Sequence, residues 1–392
     1  MSHSATHSPT QSRYCFVFLE IFSSEGGIQS YIKDVLQGYS ALKHQPLADI
    51  FLLRDEPHCQ NPFESSPSFQ FHYFKTKSAR LDRIRLAIAL LFYLLKYRPQ
   101  RVFCGHVKLA PLVQMLCQPL GISYTVLTYG KEVWTSLPTA SLRALQRATT
   151  IWTISRFSRD QACTSNDLDS HLFQVLPCAV DGDRFTPGTK PTHWVEKYGL
   201  AEATVLMTVA RLWAGDAYKG VDVTIRALPA IAQVFPQVKY LVIGRGDDQP
   251  RLAQLAVDLE VSDRVVFAGY VATDDLADHY RLADVYVMPS QEGFGIVYLE
   301  AMACGKPVLA GDTDGSADPL QDGQLGWRVP HRDPDAVAQA CIEILQELST
   351  AAATAHQEGA LSRRTDGSWL RQQAISHFGR DAFVKRLEQL FS

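Results

Sequence analysis

Residues 284–305 read DVYVMPSQEGFGIVYLEAMACG, and this stretch contains the signals for a strand, a turn and a helix in succession. The apolar run DVYVMP predicts a buried strand, SQEGFG predicts a turn, and the spacing of Val297, Ala301 and Cys304 predicts a packed helix. Strand, turn and helix in this order are the repeating unit of a parallel sheet covered by helices. The stretch therefore predicts the α/β fold class.

The same alternation of apolar runs and helix-like segments extends over most of the chain, for example in YCFVFLEIF, YTVLTYG, TVLMTVARL and KYLVIGRG. It stops at VDGDRFTPGTKPTHW, residues 180–194, which is rich in Gly, Pro and Asp, and then starts again. Two complete series predict two doubly wound, Rossmann-like domains. The predicted division is a disordered tail at 1–12, an N-terminal domain at 13–187, a C-terminal domain at 188–367 and a C-terminal helix at 368–392.

Charge and composition argue against several classes of protein. A net charge of −3 and a pI near 6.5 do not suit a nucleic-acid binder. The eight cysteines are scattered without a C-x-x-C pair, which is typical of small buried side chains in a reducing compartment. The polar start of the chain and the short run CFVFLEIF, which Glu20 interrupts, do not have the pattern of a targeting signal, so we expect a cytoplasmic protein.

Loops that follow predicted strands carry the candidate ligand contacts, because ligands of doubly wound sheets bind beyond the carboxyl ends of the strands. SSEGGIQS places Gly26 and Gly27 at a helix start, where bare backbone could approach a ligand or simply make a tight turn. ARLWAGDAYKG carries Arg211 and Lys219, which could clamp a diphosphate or be solvated surface charges, and their position favours the clamp. VIGRGDDQPRL lacks the third glycine of a dinucleotide fingerprint and is more typical of a rim beside a nucleotide base.

Glu292 and Glu300 lie on either side of the turn in the opening stretch. The free N–H groups at the start of its helix, around Phe294 to Val297, suit a phosphate. Glu300 lies roughly 6 Å along the helix axis, so its carboxylate can reach a ribose, whereas Glu292 points to the group attached beyond the phosphate. The alternative is a capping glutamate and an unrelated surface glutamate.

With these residues the sequence resembles the family 4 retaining glycosyltransferases of the GT-B fold, from about Tyr14 to the C-terminal helix. EGFGIVYLEAMACGKPV is similar to the E-x7-E segment of that family, its most specific signature. Supporting matches are EGGI, ISRFSRD, PCAVDGDRFTP, VARLWAGDAYKG, VIGRGDD and FAGYV. The resemblance implies two Rossmann-like domains that face each other across a cleft, with the C-terminal helix packed back on the first domain.

The resemblance also implies roles for individual residues. It assigns catalysis to Glu292, Arg211 and Lys219, with the two cations on the donor diphosphate and Glu292 at the transferred sugar. It assigns donor binding to Gly27, Arg245, Tyr270, Val271, Phe294, Gly295, Ile296, Val297 and Glu300. No metal ion and no other cofactor is implied, and we interpret the three D-x-D strings of the chain as turns and caps.

The loop TYGKEVW departs from the family pattern, because many relatives have a histidine where this chain has Tyr129. A tyrosine can hydrogen-bond a sugar hydroxyl, but its unperturbed pKa of about 10 makes it a poor proton carrier near neutral pH. His106, after an earlier strand, could occupy the same crevice or be a structural residue. We therefore predict an acceptor or sugar side formed by His106, Tyr129, Lys131 and Glu132.

The function implied is retaining transfer of a hexose from a UDP- or GDP-linked sugar to an acceptor hydroxyl, in the synthesis of cell-surface polysaccharide, glycolipid or glycoside. The acceptor would be a glycan, a lipid-linked sugar or a small molecule. Two alternatives use the same scaffold, namely a nucleotide-sugar epimerase and a non-catalytic nucleotide-sugar-binding protein. An epimerase needs proton-shuttling groups around the sugar, and a binder would more commonly have lost Glu292 or Lys219.

One segment of the first domain, FKTKSARLDRIRLAIALLFYLLKYRPQR, combines basic and apolar residues. Between Lys75 and Arg101, eight basic residues and one acid flank a ten-residue apolar run. That run is too short to span a bilayer. The segment predicts either a helix that docks on the anionic inner face of a membrane or a buried helix with solvated ends.

Overall fold

The structure, a computed structural model, describes residues 13–24, 26–43, 45–353 and 363–391. They form two compact units, one of the residues up to Leu176 together with those from Phe383 onward, and one of Pro177–Ala382. Each unit is a parallel sheet with helices, which confirms the predicted α/β class and the two Rossmann-like domains. The predicted tail at 1–12 lies outside the described residues.

The first unit is built on one parallel sheet. Its strands are β1 (Arg13–Phe18), β2 (Leu47–Leu52), β3 (Phe69–Tyr73), β4 (Arg101–Cys104), β5 (Tyr124–Thr128), β6 (Thr150–Thr153) and β7 (Phe173–Val175). Its helices are α1 (Gly27–Ser40), α2 (Ala79–Tyr97), α3 (Ala110–Cys117), α4 (Thr139–Gln146) and α5 (Arg156–Asn166). The strand order β3-β2-β1-β4-β5-β6-β7 reverses between β1 and β4, so the loops after these two strands open a crevice at the carboxyl edge.

The second unit repeats this plan with a smaller sheet. Its strands are β8 (Thr204–Val209), β9 (Val238–Ile243), β10 (Val265–Gly269), β11 (Val285–Met288), β12 (Val308–Gly311) and β13 (Trp327–Val329). Its helices are α6 (Thr192–Tyr198), α7 (Val221–Val234), α8 (Gln249–Asp258), α9 (Leu276–Leu282), α10 (Ile296–Ala303), α11 (Pro334–Ala353) and α12 (Gly367–Phe378). The order β10-β9-β8-β11-β12-β13 reverses between β8 and β11, which makes the loops after these strands the counterparts of those in the first unit.

Burial on both faces explains why the strands read as continuous apolar runs. Strands covered by helices on both sides have no solvated face, so the apolar/polar alternation of an exposed sheet is lost. All residues of β11 and β12 are buried. Helix α1 has the complementary helical pattern, with Tyr31, Ile32 and Val35 among the buried residues of one face.

The segment between the two sheets differs from its prediction, which put the boundary at 187/188. Residues 177–187 belong to the second unit. Val180 forms a β-bridge with Gly379, and the guanidinium of Arg371 donates to the carbonyls of Gly182 and Phe185 at 2.8 and 2.6 Å. The glycines and prolines therefore interrupt the secondary structure, whereas these hydrogen bonds hold the segment in the second unit.

The C-terminal segment also differs from the single helix predicted at 368–392. It forms α12 and a second helix, α13 (Arg380–Phe391), with an extended residue at Gly379 between them. Residues from Phe383 onward belong to the first unit. The ring of Phe391 lies against four buried aromatic rings of that unit, at centroid distances of 5.0 to 5.6 Å, which are those of Tyr14, Tyr39, Phe103 and Trp152.

We predict that Phe391→Ala destabilises the first unit by about 2 kcal/mol, because a half-buried aromatic ring and its cluster contacts are lost. Hydrogen exchange read by mass spectrometry should detect reduced protection in β1 and β4 with little change in β8 and β9. Met115→Ala is the control, since that side chain is 60% exposed on α3. Unchanged protection of β1 and β4 would contradict the structural role of this ring.

Candidate functional site

Lys219 and Glu292 form an ion pair where the strand order of the second unit reverses. Lys219 ends a 3₁₀ turn after β8, and Glu292 lies in the loop after β11, which pairs with β8. The Nζ of Lys219 donates to Oε1 of Glu292, and both side chains are largely buried. Burial disfavours the ammonium charge, but the adjacent carboxylate outweighs it and the pKa of Lys219 is raised. The structure thus joins two predicted site residues and keeps Lys219 charged.

Arg211 lies on the same loop and supplies a second cation. Its side chain is 58% exposed, with one guanidinium nitrogen 3.1 Å from Oδ2 of Asp216 and the guanidinium 4.7 Å above the Trp213 ring. Its positive charge acts to lower the pKa of Lys219. The loop after β8 therefore presents one buried and one exposed cation, which together suit a diphosphate.

Asp314, a residue not predicted for the site, fixes the backbone that carries Glu292. Its Oδ2 accepts from the N–H of Glu292 at 2.7 Å, and the N–H of Gly315 donates to the carbonyl of Glu292 at 2.8 Å. A Cβ on Gly315 would lie 2.1 Å from the carbonyl oxygen of Gly293, so only glycine fits there. Burial raises the pKa of Asp314 to about 6, against the hydrogen bonds that it accepts.

The D-x-D strings have the turn and capping roles that we predicted. Asp314 accepts from the N–H of Ser316, Asp169 from that of His171, and Asp181 from that of Asp183. Within the described ranges, no group of three His, Cys, Asp or Glu side chains is arranged to hold a metal ion.

The start of α10 supplies backbone groups beside Glu292. Gly295 precedes the helix with a φ of 87°, and a Cβ there would lie 2.2 Å from the Tyr298 ring. The Phe294 side chain is buried and faces Phe378, so only its backbone is available to a ligand. The N–H groups of Ile296 and Val297, at the start of the helix, have no acceptor within it and favour an anion.

Glu300 is a carboxylate held by a tyrosine that the sequence did not indicate. Its Oε2 accepts from the hydroxyl of Tyr280 at 2.6 Å. Burial raises the pKa of Glu300 to about 7, although the Tyr280 hydrogen bond and the charge of Arg184 act in the opposite direction. A buried acid with such a pKa disfavours folding when it ionises, and this is a common feature of functional sites.

The loops after β9 and β10 carry the residues predicted near a nucleotide base. The Arg245 guanidinium lies 4.9 Å from the centroid of the Tyr270 ring, which is 56% exposed, and Val271 follows. A Cβ on Gly244 or Gly246 would meet a carbonyl oxygen of the β8 loop at 1.8 or 1.9 Å. The glycines therefore allow contact between loops, whereas Arg245 and Tyr270 offer flat surfaces to a ligand.

In the first unit, the loop after β1 leads to Gly27 at the start of α1. Space beside Gly27 is open, since an added Cβ would meet nothing within 4 Å. The buried carboxylate of Asp55 holds this loop, accepting from the N–H groups of Ile21 and Ser23 at 2.6 and 2.7 Å. Asp55 is a positioning residue that sequence patterns missed, because it lies more than 30 residues from the groups that it binds.

The side chains of two predicted acceptor-side residues already have hydrogen-bond partners within the fold. The hydroxyl of Tyr129 donates to the carbonyl of Gly105 at 2.7 Å and the residue is buried. The carboxylate of Glu132 accepts from the N–H of Tyr129, and burial raises its pKa. These contacts argue against the predicted hydrogen bond between Tyr129 and a sugar. Lys131 between them is exposed.

His106 follows β4, at the reversal of strand order in the first unit. Its Nδ1 accepts from the N–H of Lys108 at 3.1 Å, which leaves the proton of the neutral ring on Nε2. Burial lowers the pKa of His106 to about 4, and the charges of Lys108 and Arg54 act in the same direction. His106 is therefore neutral near pH 7 and offers a hydrogen-bond donor rather than a charge.

Known proteins resemble this chain both in sequence and in fold. A family model described as "Glycosyl transferases group 1" matches residues 203–347, which include every candidate residue of the second unit. Over these residues the chain is similar to the group 1 glycosyltransferases. The crystal structure of Anabaena HepE in complex with UDP and glucose superposes with a TM-score of 0.73 over 97% of this chain and 99% of the other. The sequence identity of 17% makes this a likeness of fold alone, the GT-B fold.

Curated proteins are similar to this chain over different lengths. The GDP-mannose-dependent alpha-(1-6)-phosphatidylinositol monomannoside mannosyltransferase of Mycolicibacterium smegmatis is 36% identical over 240 residues, which are 58% of this chain and 62% of the relative. The match thus spans about three-fifths of that relative. The monoacylated-substrate mannosyltransferase of Corynebacterium glutamicum, also GDP-mannose-dependent, is 29% identical over 82% of this chain and 86% of its own length.

We predict that Glu300→Gln raises the melting temperature by a few degrees at pH 8 and has little effect at pH 5. Between the unfolded pKa of about 4.5 and the folded pKa of about 7, the folded state binds the extra proton, so stability is lost as pH rises through this window. Glutamine lacks this titration. Calorimetry of both proteins at several pH values tests it, with Glu196→Gln, at an exposed position, as the control. Equal melting temperatures at pH 8 would contradict a buried, titrating Glu300.

Proposed function

We propose that this protein transfers a hexose from a nucleoside diphosphate sugar to an acceptor hydroxyl with retention of the anomeric configuration. The observation that carries the proposal is the cluster in the second unit, where Arg211 and the Lys219–Glu292 pair lie beside the start of α10. Glu300 lies one helical turn farther along α10. Cations, helix N–H groups and a separate carboxylate are the groups that a diphosphate followed by a ribose requires.

The names of the relatives support a choice of donor and acceptor. Two GDP-mannose-dependent mannosyltransferases that act on phosphatidylinositol mannosides are similar to this chain. We therefore propose GDP-mannose as the donor, in preference to a UDP-linked sugar. An acceptor with an inositol-containing, lipid-linked headgroup fits the same relatives.

The difficult step in such a reaction is departure of the nucleoside diphosphate, on which negative charge develops. Lys219 can donate to a phosphate oxygen with another of its three protons, and the exposed fork of Arg211 can take a second oxygen. The N–H groups of α10 add positive potential at the same end. We propose that these groups stabilise the leaving group without a metal ion or other cofactor.

Retention can be achieved without a covalent intermediate. The acceptor oxygen bonds to the anomeric carbon as the bond from that carbon to the phosphate oxygen breaks, and the acceptor proton passes to the leaving phosphate on the same face. Glu292, paired with Lys219, would then orient the sugar and stabilise its positive charge. We assign acceptor contacts to the first unit through His106 and Lys131, since the Tyr129 hydroxyl is occupied by Gly105.

We predict that Glu292→Gln lowers kcat by about 100-fold or more, whereas the dissociation constant of GDP-mannose changes by only a few-fold. Wild-type and variant proteins are incubated with GDP-mannose, UDP-glucose and ADP-glucose, with and without phosphatidylinositol mannoside acceptors, and nucleoside diphosphate release and the product anomer are measured. Glu196→Gln should leave both constants unchanged. Wild-type turnover of Glu292→Gln would remove Glu292 from the mechanism.

The same measurement separates the alternatives. A new nucleotide sugar without diphosphate release would indicate an epimerase. Binding without either product, for every donor and acceptor, would indicate a non-catalytic protein and overturn the proposal.

We further propose that α2 docks on the anionic, cytoplasmic face of a membrane. The helix is apolar on both sides, because Leu86, Leu90 and Leu94 are buried in the first unit while a second stripe faces outward. Each residue of this stripe is more than a third exposed; they are Leu81, Ile84, Ile88, Leu91, Phe92 and Leu95. A helix of 19 residues is roughly 28 Å long, so the stripe could lie along a membrane surface.

The charges around the stripe favour an anionic surface. Arg80, Arg85 and Lys96 are exposed on α2. The single acid of the segment, Asp82, is buried and accepts from the N–H of Thr76. Exposed charges on this helix are therefore positive, although the chain as a whole carries −3. Across the part of the chain that the structure describes, no helix is long and apolar enough to cross a membrane.

We predict that the protein sediments with vesicles containing phosphatidylglycerol and that the double change Ile88→Asp and Phe92→Asp reduces the bound fraction at least 10-fold. The carboxylates oppose both insertion of the stripe and attraction to anionic lipid. Val257→Asp is the matched control, at an apolar residue 54% exposed on α8. Equal binding of the double variant would contradict docking through α2, and a dimer that only the wild type forms would make the stripe a protein interface.

A further inference from the structure

Tyr280 and Glu300 form a contact between two neighbouring helices of the second unit. Tyr280 lies in α9 and is fully buried, and its hydroxyl donates to Oε2 of Glu300 at 2.6 Å. The phenol ring packs edge-on against Phe185, at a centroid distance of 5.7 Å and an interplanar angle of 84°, and lies 5.7 Å from the Tyr286 ring. Packing from two sides therefore fixes the direction of the hydroxyl.

This geometry uses one oxygen of the carboxylate and leaves the other available. Oε1 of Glu300 has no hydrogen-bond partner among the described residues, and the side chain is only partly buried. An unrestrained glutamate rotates about three side-chain bonds, and each ordered torsion costs conformational entropy when a ligand binds. Because the packed Tyr280 ring holds one oxygen of the Glu300 carboxylate, the carboxylate is oriented before any ligand binds.

We propose that Tyr280 is a positioning residue that holds Glu300 with one carboxylate oxygen directed to the ribose of the donor. In this role Tyr280 contacts no ligand, and its effect appears in how strongly the site distinguishes a nucleotide with ribose hydroxyls from one without them. The inference rests on the proposed function, in which the ligand is a nucleoside diphosphate sugar.

Tyr286 offers a matched comparison. It is fully buried in the same layer of rings, and its hydroxyl lies 3.3 Å from the N–H of Val209 rather than at Glu300. Tyr286→Phe and Tyr280→Phe each remove one buried hydroxyl from neighbouring rings. If the layer of rings were purely structural, the two variants would distinguish ribose from dideoxyribose equally well. A positioning role of Tyr280 predicts that only Tyr280→Phe loses this distinction.

The first test measures binding of GDP and 2′,3′-dideoxy-GDP by calorimetry. We expect wild type and Tyr286→Phe to bind GDP at least 10-fold more tightly than the dideoxy compound, and this ratio to fall to about 2 or less in Tyr280→Phe and in Glu300→Gln. The inference would be overturned if Tyr280→Phe kept the wild-type ratio of the two affinities while Glu300→Gln reduced it. If wild type binds both compounds equally, the ribose role of Glu300 in the proposed function fails instead.

A second measurement needs no ligand and keeps the contact itself testable. The hydrogen bond from Tyr280 favours the ionised carboxylate, so its loss should move the pH range of Glu300 titration upward. The stabilisation by Glu300→Gln should then level off at a pH at least half a unit higher in the Tyr280→Phe background than in the Tyr286→Phe background, because it grows until the pH reaches the folded pKa of Glu300. Identical profiles in the two backgrounds would overturn the positioning role even if nucleotide binding were lost for other reasons.

Discussion

The reversal of strand order within each sheet is the constraint on which the rest of the structure depends. The crossover helices on the two sides of this point lie on opposite faces of the sheet, so no helix closes over the loops between them. In the second unit each of the two loops at the reversal also lies against the loop of its outer neighbour, since Gly246 after β9 lies against the Leu212 carbonyl and Gly315 after β12 against that of Gly293. Backbone contact between loops therefore holds the side chains of different strands in one place.

Ionisable groups accumulate at this edge of the second sheet. Lys219, Glu292 and Asp314 are largely buried and Glu300 is partly buried, and burial raises the pKa of both Glu300 and Asp314 above ordinary values. Such groups disfavour the empty folded state, because charge is expensive away from water. The Lys219–Glu292 pair offsets part of this cost internally. Hydroxyl groups that donate to the carboxylates would offset more of it, and this is a physical reason for stability to rise with ligand binding.

Sequence patterns predicted the fold well because strands buried on both faces leave long apolar runs, and they predicted the loops because turn residues mark strand ends. They could not predict contacts that depend on distant pairing. Tyr280 lies 20 residues from Glu300, and no pattern links them. The Tyr129 hydroxyl was interpreted as a sugar contact, but it donates to the carbonyl of Gly105, which follows the neighbouring strand β4. For α2, apolar periodicity could not distinguish the packed face from the outer one, because both are apolar.

Arg371 joins the segment between the two sheets to helix α10. Its guanidinium binds the carbonyls of Gly182 and Phe185 and also that of Ala303, the last residue of α10. The segment 182–185 and the helix that carries Glu300 thus share hydrogen bonds to one guanidinium group. Within the second unit, the β-bridge between Val180 and Gly379 is a further contact of the segment between the two sheets. One arginine side chain of α12 therefore joins the segment between the two sheets to the helix that carries Glu300.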